Sequence, residues 1–181
     1  MTETRKRSGR PAAGHALSLD QVLDAGLELL EELGAQGFGI RALARKLAIT
    51  PMSVIYHVGD QQQLMQLLVE RVHGEPLEEP AESMPAVQRV QVLLGHYMAR
   101  VRRYPALTLC VFGDPRLFGG SLSAFSERLR HEVRQFDAEP ELLFDLLVDY
   151  THGHALALAL AGEGAQPLAG AFEAGLRRLL R

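Results

Sequence analysis

From Leu33 to Gly59 the chain carries three cations, Arg41, Arg45 and Lys46, and no acid, with Thr50, Pro51, Met52, Ser53, Tyr56 and His57 in the same stretch. Cations neutralise phosphates, and small polar side chains at the start of a helix let its backbone approach base edges. Residues of these types, in this order, point to nucleic acid rather than to bond-making chemistry. Other reactive groups are sparse. Cys110 is the single cysteine; nothing around it resembles a nucleophile site, the chain has no glycine-rich phosphate loop, and a lone cysteine ordinarily packs as a small hydrophobe. His96, His152 and His154 invite a metal reading. Residues two apart on a helix point to different sides, however, and Asp149 with His152 is the only pair at i, i+3 around them. The expectation is no catalysis, no metal and no cofactor.

The elements that must position the cationic stretch follow from local signals. Ser18 and Gln21 have capping-box spacing, and Leu19, Val22, Leu23, Gly26, Leu30 and Leu33 keep the spacing of one buried face until Gly34, which predicts a helix over 19–33. A short helix over 40–47 follows the Gly-rich joint GAQGFG, with Leu43, Ala44 and Leu47 facing the first helix and Arg41, Arg45 and Lys46 facing outward. The turn is Ala48-Ile49-Thr50. Thr50 as N-cap and Pro51 at the first helical position open a second short helix that ends near His57. Asp60 and Gln63 form another capping box for a long amphipathic helix on Leu64, Leu67, Leu68 and Val72, which stops near Gly74.

Length and composition bound the rest. The chain has 181 residues, 47% of them hydrophobic, with Leu and Ala prominent, and no alternating Val, Ile and Thr run suggests a sheet. The expected fold is all-α with about nine helices. Residues 1–16 read as a basic flexible arm with Arg5, Lys6, Arg7 and Arg10, residues 17–73 as a helix-turn-helix unit with a connecting helix from 60, and GEPLEEPAESMP as a linker over 74–84. Residues 85–181 read as a second domain with helices near 85–103, 106–112, 121–136, 140–161 and 165–180. The net charge of −3 disfavours nucleic acid only as a total, since most acids lie outside the cationic stretch. The N-terminus lacks the apolar core of a secretory signal, so a cytoplasmic location is expected. The apolar run from Leu142 to Ala161 carries Asp145, Asp149, His152 and His154, which hydrocarbon would penalise, so no membrane partner is expected.

Two short helices joined by a three-residue turn have too little apolar face to stand alone, and must pack on the helices before and after them. At this spacing GFGIRALARKLAITPMSVIYHVGDQQQLMQLL, within residues 18–73, resembles the helix-turn-helix and connecting helix of the TetR/AcrR family of transcriptional regulators, as do Gly9-Arg10-Pro11 and the His57-Val58 pair. The resemblance implies that Arg41 touches a base or phosphate, that Thr50, Pro51 and Ser53 approach bases, and that Tyr56 and His57 contact the backbone, with Arg45, Lys46 and Met52 in the same interface. The chain departs from the family pattern at four places: Ile55 stands where a Tyr is usual, Gln61 where a Lys is common, Ala48 where the turn has Gly, and Ile40 where a hydroxyl N-cap is usual.

The resemblance further implies a homodimer through the last two helices, a palindromic double-stranded DNA operator and release by a small-molecule effector. Gly153, Ala157, Gly170, Ala171 and Gly175 permit close helix packing. Candidate lining residues for an effector pocket between the middle helices are Tyr97, Tyr104, Cys110, Phe112, Phe118, Phe125, Phe144, Tyr150 and His154, as a mostly apolar cavity requires; aromatic residues at this spacing also serve as plain core. The competing reading is a helical adaptor that keeps the fold and binds a protein.

Overall fold

The computed structural model describes residues 17–76, 80–161 and 170–181. The basic arm at 1–16, part of the expected linker and the expected start of the last helix at 165 lie outside the described residues. Within them the chain is all-helical: α1 (Leu19–Gly37), α2 (Ile40–Lys46), α3 (Pro51–Val58), α4 (Gln61–His73), α5 (Ala86–Arg103), α6 (Pro105–Gly113), a 3-10 turn at Pro115–Leu117, α7 (Gly120–Val133), α8 (Pro140–Ala161) and α9 (Ala171–Leu179).

Local chemistry sets the first boundaries. Ser18 Oγ accepts the Gln21 N–H at 3.2 Å while Gln21 Oε1 accepts the Ser18 N–H at 2.9 Å, so two orphan donors at the start of α1 are satisfied reciprocally. At the other end Gly34 leaves helical geometry at φ +67°, and only a short turn carries on to Gly37. Asp60 and Gln63 repeat the reciprocal cap at α4. The expected helix over 121–136 is shorter, ending at Val133 with a turn behind it.

Among the described residues, two apolar clusters hold the fold. The larger joins Val22, Leu30, Leu43, Val54, Leu64 and Leu68 of α1–α4 and continues into Tyr97, Val101, Leu107, Leu117 and Leu122 beyond the linker. Leu30, Leu43, Leu64 and Leu68 are completely buried, each contributing about 1.5–3 kcal/mol of transfer free energy. Gly26 lets α1 and α4 close up, since a Cβ there would lie 3.1 Å from Leu68 Cδ2. The second cluster packs Val90, Leu93 and Leu94 of α5 against Leu129 and Val133 of α7, Phe144 and Leu147 of α8, and Phe172 and Leu176 of α9. Between α5 and α7 the Arg89 guanidinium pairs with the buried Glu132 carboxylate at 2.6 Å, with Gln135 donating to the same oxygen.

Candidate nucleic-acid interface and the helices behind it

The turn between α2 and α3 closes as a Schellman motif. Ile49 N–H donates to the Ala44 carbonyl at 3.0 Å and Ala48 N–H to that of Arg45 at 3.2 Å, with Ala48 in the left-handed region at φ 54°. Glycine normally takes that position because a Cβ crowds the following carbonyl. Thr50 Oγ1 accepts the Ser53 N–H at 3.1 Å and shares a hydrogen bond with Ser53 Oγ at 2.9 Å, so the two hydroxyls are locked together at the start of α3. Pro51 sits at the first helical position, where its missing N–H costs nothing.

Val54 and Val58 bury one face of α3, which turns the other outward. Tyr56 is 86% exposed, Met52 70% and Ile55 38%; the Tyr56 and His57 rings meet edge to face at 5.5 Å. Pro51, Thr50, Arg41 and Arg45 are exposed and Ser53 half-buried. Lys46 is exposed, as expected, but it is paired across the surface. Its ammonium turns back onto α1, 2.9 Å from Glu32 and 3.3 Å from Glu28, and the Glu32 hydrogen bond holds its pKa above the ordinary lysine value. The cationic stretch has no acid in sequence, but the fold supplies two from the preceding helix.

Two departures from the family pattern fit one another. Ile40 leaves α2 without a hydroxyl cap, and its N-cap residue Gly39 makes no side-chain bond. Gln61 on α4 fills the gap, its Oε1 accepting the Ile40 N–H at 3.1 Å. A lysine at 61 has no acceptor to offer.

Behind this unit the candidate pocket residues fall into separate groups. Tyr97 stacks on Phe125 with ring centres 5.0 Å apart, its hydroxyl lies 2.5 Å from His152 Nε2, and Phe112 meets the His152 ring edge-on at 4.6 Å. His73, at the end of α4, joins this cluster 5.9 Å from Tyr97. Burial, then the Arg100 charge, pulls His73 down to about 4; burial pushes Tyr97 up to about 12, and lowers His152 against the opposing Asp149 charge. Tyr150 and His154 lie elsewhere, against Phe172 of α9, where Tyr150 stacks at 5.6 Å. Phe144 is in the second core under the Arg130 guanidinium. Tyr104 lines a polar cavity of about 700 Å³ between α1, α4 and α5 with Glu31, Arg71, Arg100 and Arg103. Cys110 is half-buried, its thiol pushed up by burial and the Glu31 charge, and Phe118 is 52% exposed. Sequence reasoning missed His73; the available signal was an imidazole in the last turn of a helix leading out of the cationic unit.

The fold and its exposed α2–α3 surface define an all-α helix-turn-helix protein. No family model matches the chain. It is 27% identical over 144 residues to the HTH-type transcriptional repressor DrrR1 of Streptomyces coeruleorubidus, covering 77% of this chain and 53% of that protein. It is 37% identical over 71 residues to the class E tetracycline repressor protein of Escherichia coli, covering 37% of this chain and 34% of that one. The chain thus spans about half or less of the curated relatives it matches. Among solved structures, apo ActR from Streptomyces coelicolor superposes with a TM-score of 0.68 at 19% identity, covering 93% and 95% of the two chains. BioQ from Mycobacterium smegmatis gives 0.71 at 16% identity, covering 91% and 96%. BioQ with its double-stranded DNA operator gives 0.67 and ActR in complex with (S)-DNPA 0.62. The chain is thus similar in sequence to these repressors over part of their length and shares the fold of the solved TetR-type regulators.

Proposed function

We propose that this protein is an effector-responsive repressor that binds a palindromic DNA operator as a homodimer. The observation that carries the reading is the Thr50-capped α3, held by Val54 and Val58 so that Pro51, Met52 and Tyr56 are exposed, together with the exposed Arg41 and Arg45 of the preceding helix. A BioQ structure holding its double-stranded operator supports it. In this reading residues 17–73 form the DNA-binding unit and 85–181 the sensing and dimerising one. Arg41 and Ser53 contribute to base selection, and Arg45, Tyr56 and His57 to backbone contact. The exposed α8 stripe of Leu142, Leu146, Gly153 and Ala157, with α9, meets a second copy, setting two recognition helices about 34–36 Å apart. ActR in complex with (S)-DNPA supports a small-molecule effector; here the cluster of Tyr97, Phe112, Phe125, His73 and His152 is its contact region.

The experiment is selection of bound sequences from a random duplex pool, then a salt titration of the winner. A palindrome whose affinity falls linearly with salt on a log–log plot supports the reading; an unchanged operator preference in Arg41→Ala counts against the role given to Arg41. A second reading, a protein-binding adaptor, is favoured by the neutralised Lys46 and by the exposed apolar Met52, Ile55 and Tyr56. Absence of enrichment, or salt-insensitive retention, selects it.

A further inference from the structure

Helices α6 and α7 open at Tyr104 and Gly119, neither of which makes a side-chain capping bond. Each is capped instead by a carboxylate from the N-terminal unit. Glu31 of α1 accepts the Ala106 N–H at 3.0 Å and the Leu107 N–H at 3.1 Å, one on each oxygen. Glu70 of α4 accepts the Ser121 N–H at 3.0 Å and the Ser121 hydroxyl at 2.5 Å. The backbone makes room for the second cap: Gly120 has φ +49°, and a Cβ there would lie 2.0 Å from Glu70 Oε1. Between the two caps Gln66 of α4 donates to the Arg116 carbonyl in the 3-10 turn at 3.4 Å. The segment held this way carries Phe112 and Phe125, whose rings meet His152 and Tyr97.

We propose that Glu31 and Glu70 are the positioning residues that couple the α6–α7 segment to the DNA-reading unit. A carboxylate bond to a helix N-terminus is directional and its benefit fades within the first turn, whereas apolar contacts slide with little loss. A small displacement of α6 or α7 therefore changes the grip on α1 or α4, the helices against which α2 and α3 pack. The proposal rests on the DNA-binding reading above.

Coupling is reciprocal: if the α6–α7 segment alters DNA affinity, DNA alters the caps. The test therefore needs no effector. Amide exchange at Ala106, Leu107 and Ser121 is measured by NMR on the whole protein, with and without the duplex recovered by selection. In the wild type the duplex changes those rates by about fivefold or more, the low end of ordinary coupling. In Glu31→Gln, near-isosteric but uncharged, the duplex-dependent change at Ala106 and Leu107 collapses while that at Ser121 persists; Glu70→Gln gives the converse, and the double variant loses both while still binding duplex. A merely structural role would raise exchange equally in the free and bound protein and leave the ratio intact, which overturns the proposal, as does an unchanged wild type with duplex bound. Failure to retain any duplex is seen on a gel beforehand, and removes the functional reading together with the proposal. Should Glu31→Gln fail to fold by circular dichroism, Glu31→Asp, which keeps the charge but shortens the reach, must give the same collapse at Ala106 and Leu107.

Discussion

Replacing Ala48 with glycine should stabilise this protein. Ala48 is the described non-glycine residue with positive φ, 54°, and it is the left-handed residue of the Schellman motif that ends α2 and aims α3. An L-residue in that region costs about 1–2 kcal/mol. Glycine removes the cost but adds about 0.5–1 kcal/mol of unfolded-chain entropy to be lost on folding. The Ala48 side chain is exposed, so truncating it leaves no cavity, and the net gain is about 0.5–1 kcal/mol. With a urea slope of about 2 kcal/mol per molar for a chain of this size, the unfolding midpoint should rise by about 0.3–0.5 M at unchanged slope. Thermally the gain corresponds to about 1–4 °C.

Ala48→Val supplies the opposite arm, because a β-branched side chain at positive φ is a steric outlier, and it should lose more than about 1 kcal/mol. Urea curves followed by circular dichroism at one protein concentration decide the matter, since a dimer would make the midpoint concentration-dependent. An Ala48→Gly protein no more stable than wild type would refute the reasoning: the turn would then hold Ala48 without strain, and the departure from glycine would need no compensation.

Gln61→Lys should cost up to about 1 kcal/mol by removing the acceptor of the Ile40 N–H, and Gly39→Ser in the same chain should offset part of it by capping the Arg41 or Ala42 N–H; urea midpoints of the single and double variants check both. His73 is held down to about 4 by burial and the Arg100 charge, against about 6.5 when unfolded, so the unfolded chain takes up a proton that the folded protein refuses. The associated stability is full above pH 6.5 and is lost as the pH falls towards 4, with on the order of 2 kcal/mol gone by pH 5; the difference between unfolding curves at pH 7 and pH 5 should shrink in His73→Phe. Glu132 is buried, which raises its pKa, but the Arg89 hydrogen bonds and the charges of Arg89, Arg128 and His131 outweigh burial and hold it below the usual carboxylate value. Glu132→Ala leaves the Arg89 charge without its carboxylate, though Gln135 Oε1 and the Glu82 and Met84 carbonyls still accept from it. It should cost about 3 kcal/mol, the low end for a broken buried pair, in the same assay. Gly175→Ala places a Cβ 2.0 Å from the Tyr150 hydroxyl and should cost about 1–3 kcal/mol, with Tyr150→Phe in the same chain relieving part of the clash.

The features legible in the sequence are those decided within about four residues. Ser18 with Gln21, Asp60 with Gln63, and Thr50 before Pro51 each join a donor and an acceptor already close along the chain, and each forms as read. Gly34 ends the regular part of α1 because its own backbone freedom suffices. What escaped reading was decided by partners far along the chain. Lys46 finds its acids 14 and 18 positions earlier, and nothing within one turn of Lys46 signals that its charge will be paired. The aromatic residues likewise sort by the face of each helix that meets a neighbour, so Tyr97 and Phe125 converge while Tyr150 turns to α9.

The same distinction gives the four sequence departures a physical order. Ala48 is a local fault, repaired by nothing else in the turn, and a single substitution removes it. Ile40 and Gln61 are a distant pair, each anomalous alone and complementary once α4 lies beside the start of α2. Ile55, only 38% exposed beside Tyr56 at 86%, shifts the aromatic ring one position along α3, about 100° around the helix axis. Under the proposed DNA-binding reading, that rotation changes which part of a duplex the ring can meet while leaving Val54 and Val58 in the core. Stability variants at 48, 40 and 61 should therefore move the unfolding midpoint with little effect on duplex preference, and exchanges at 55 and 56 should do the reverse.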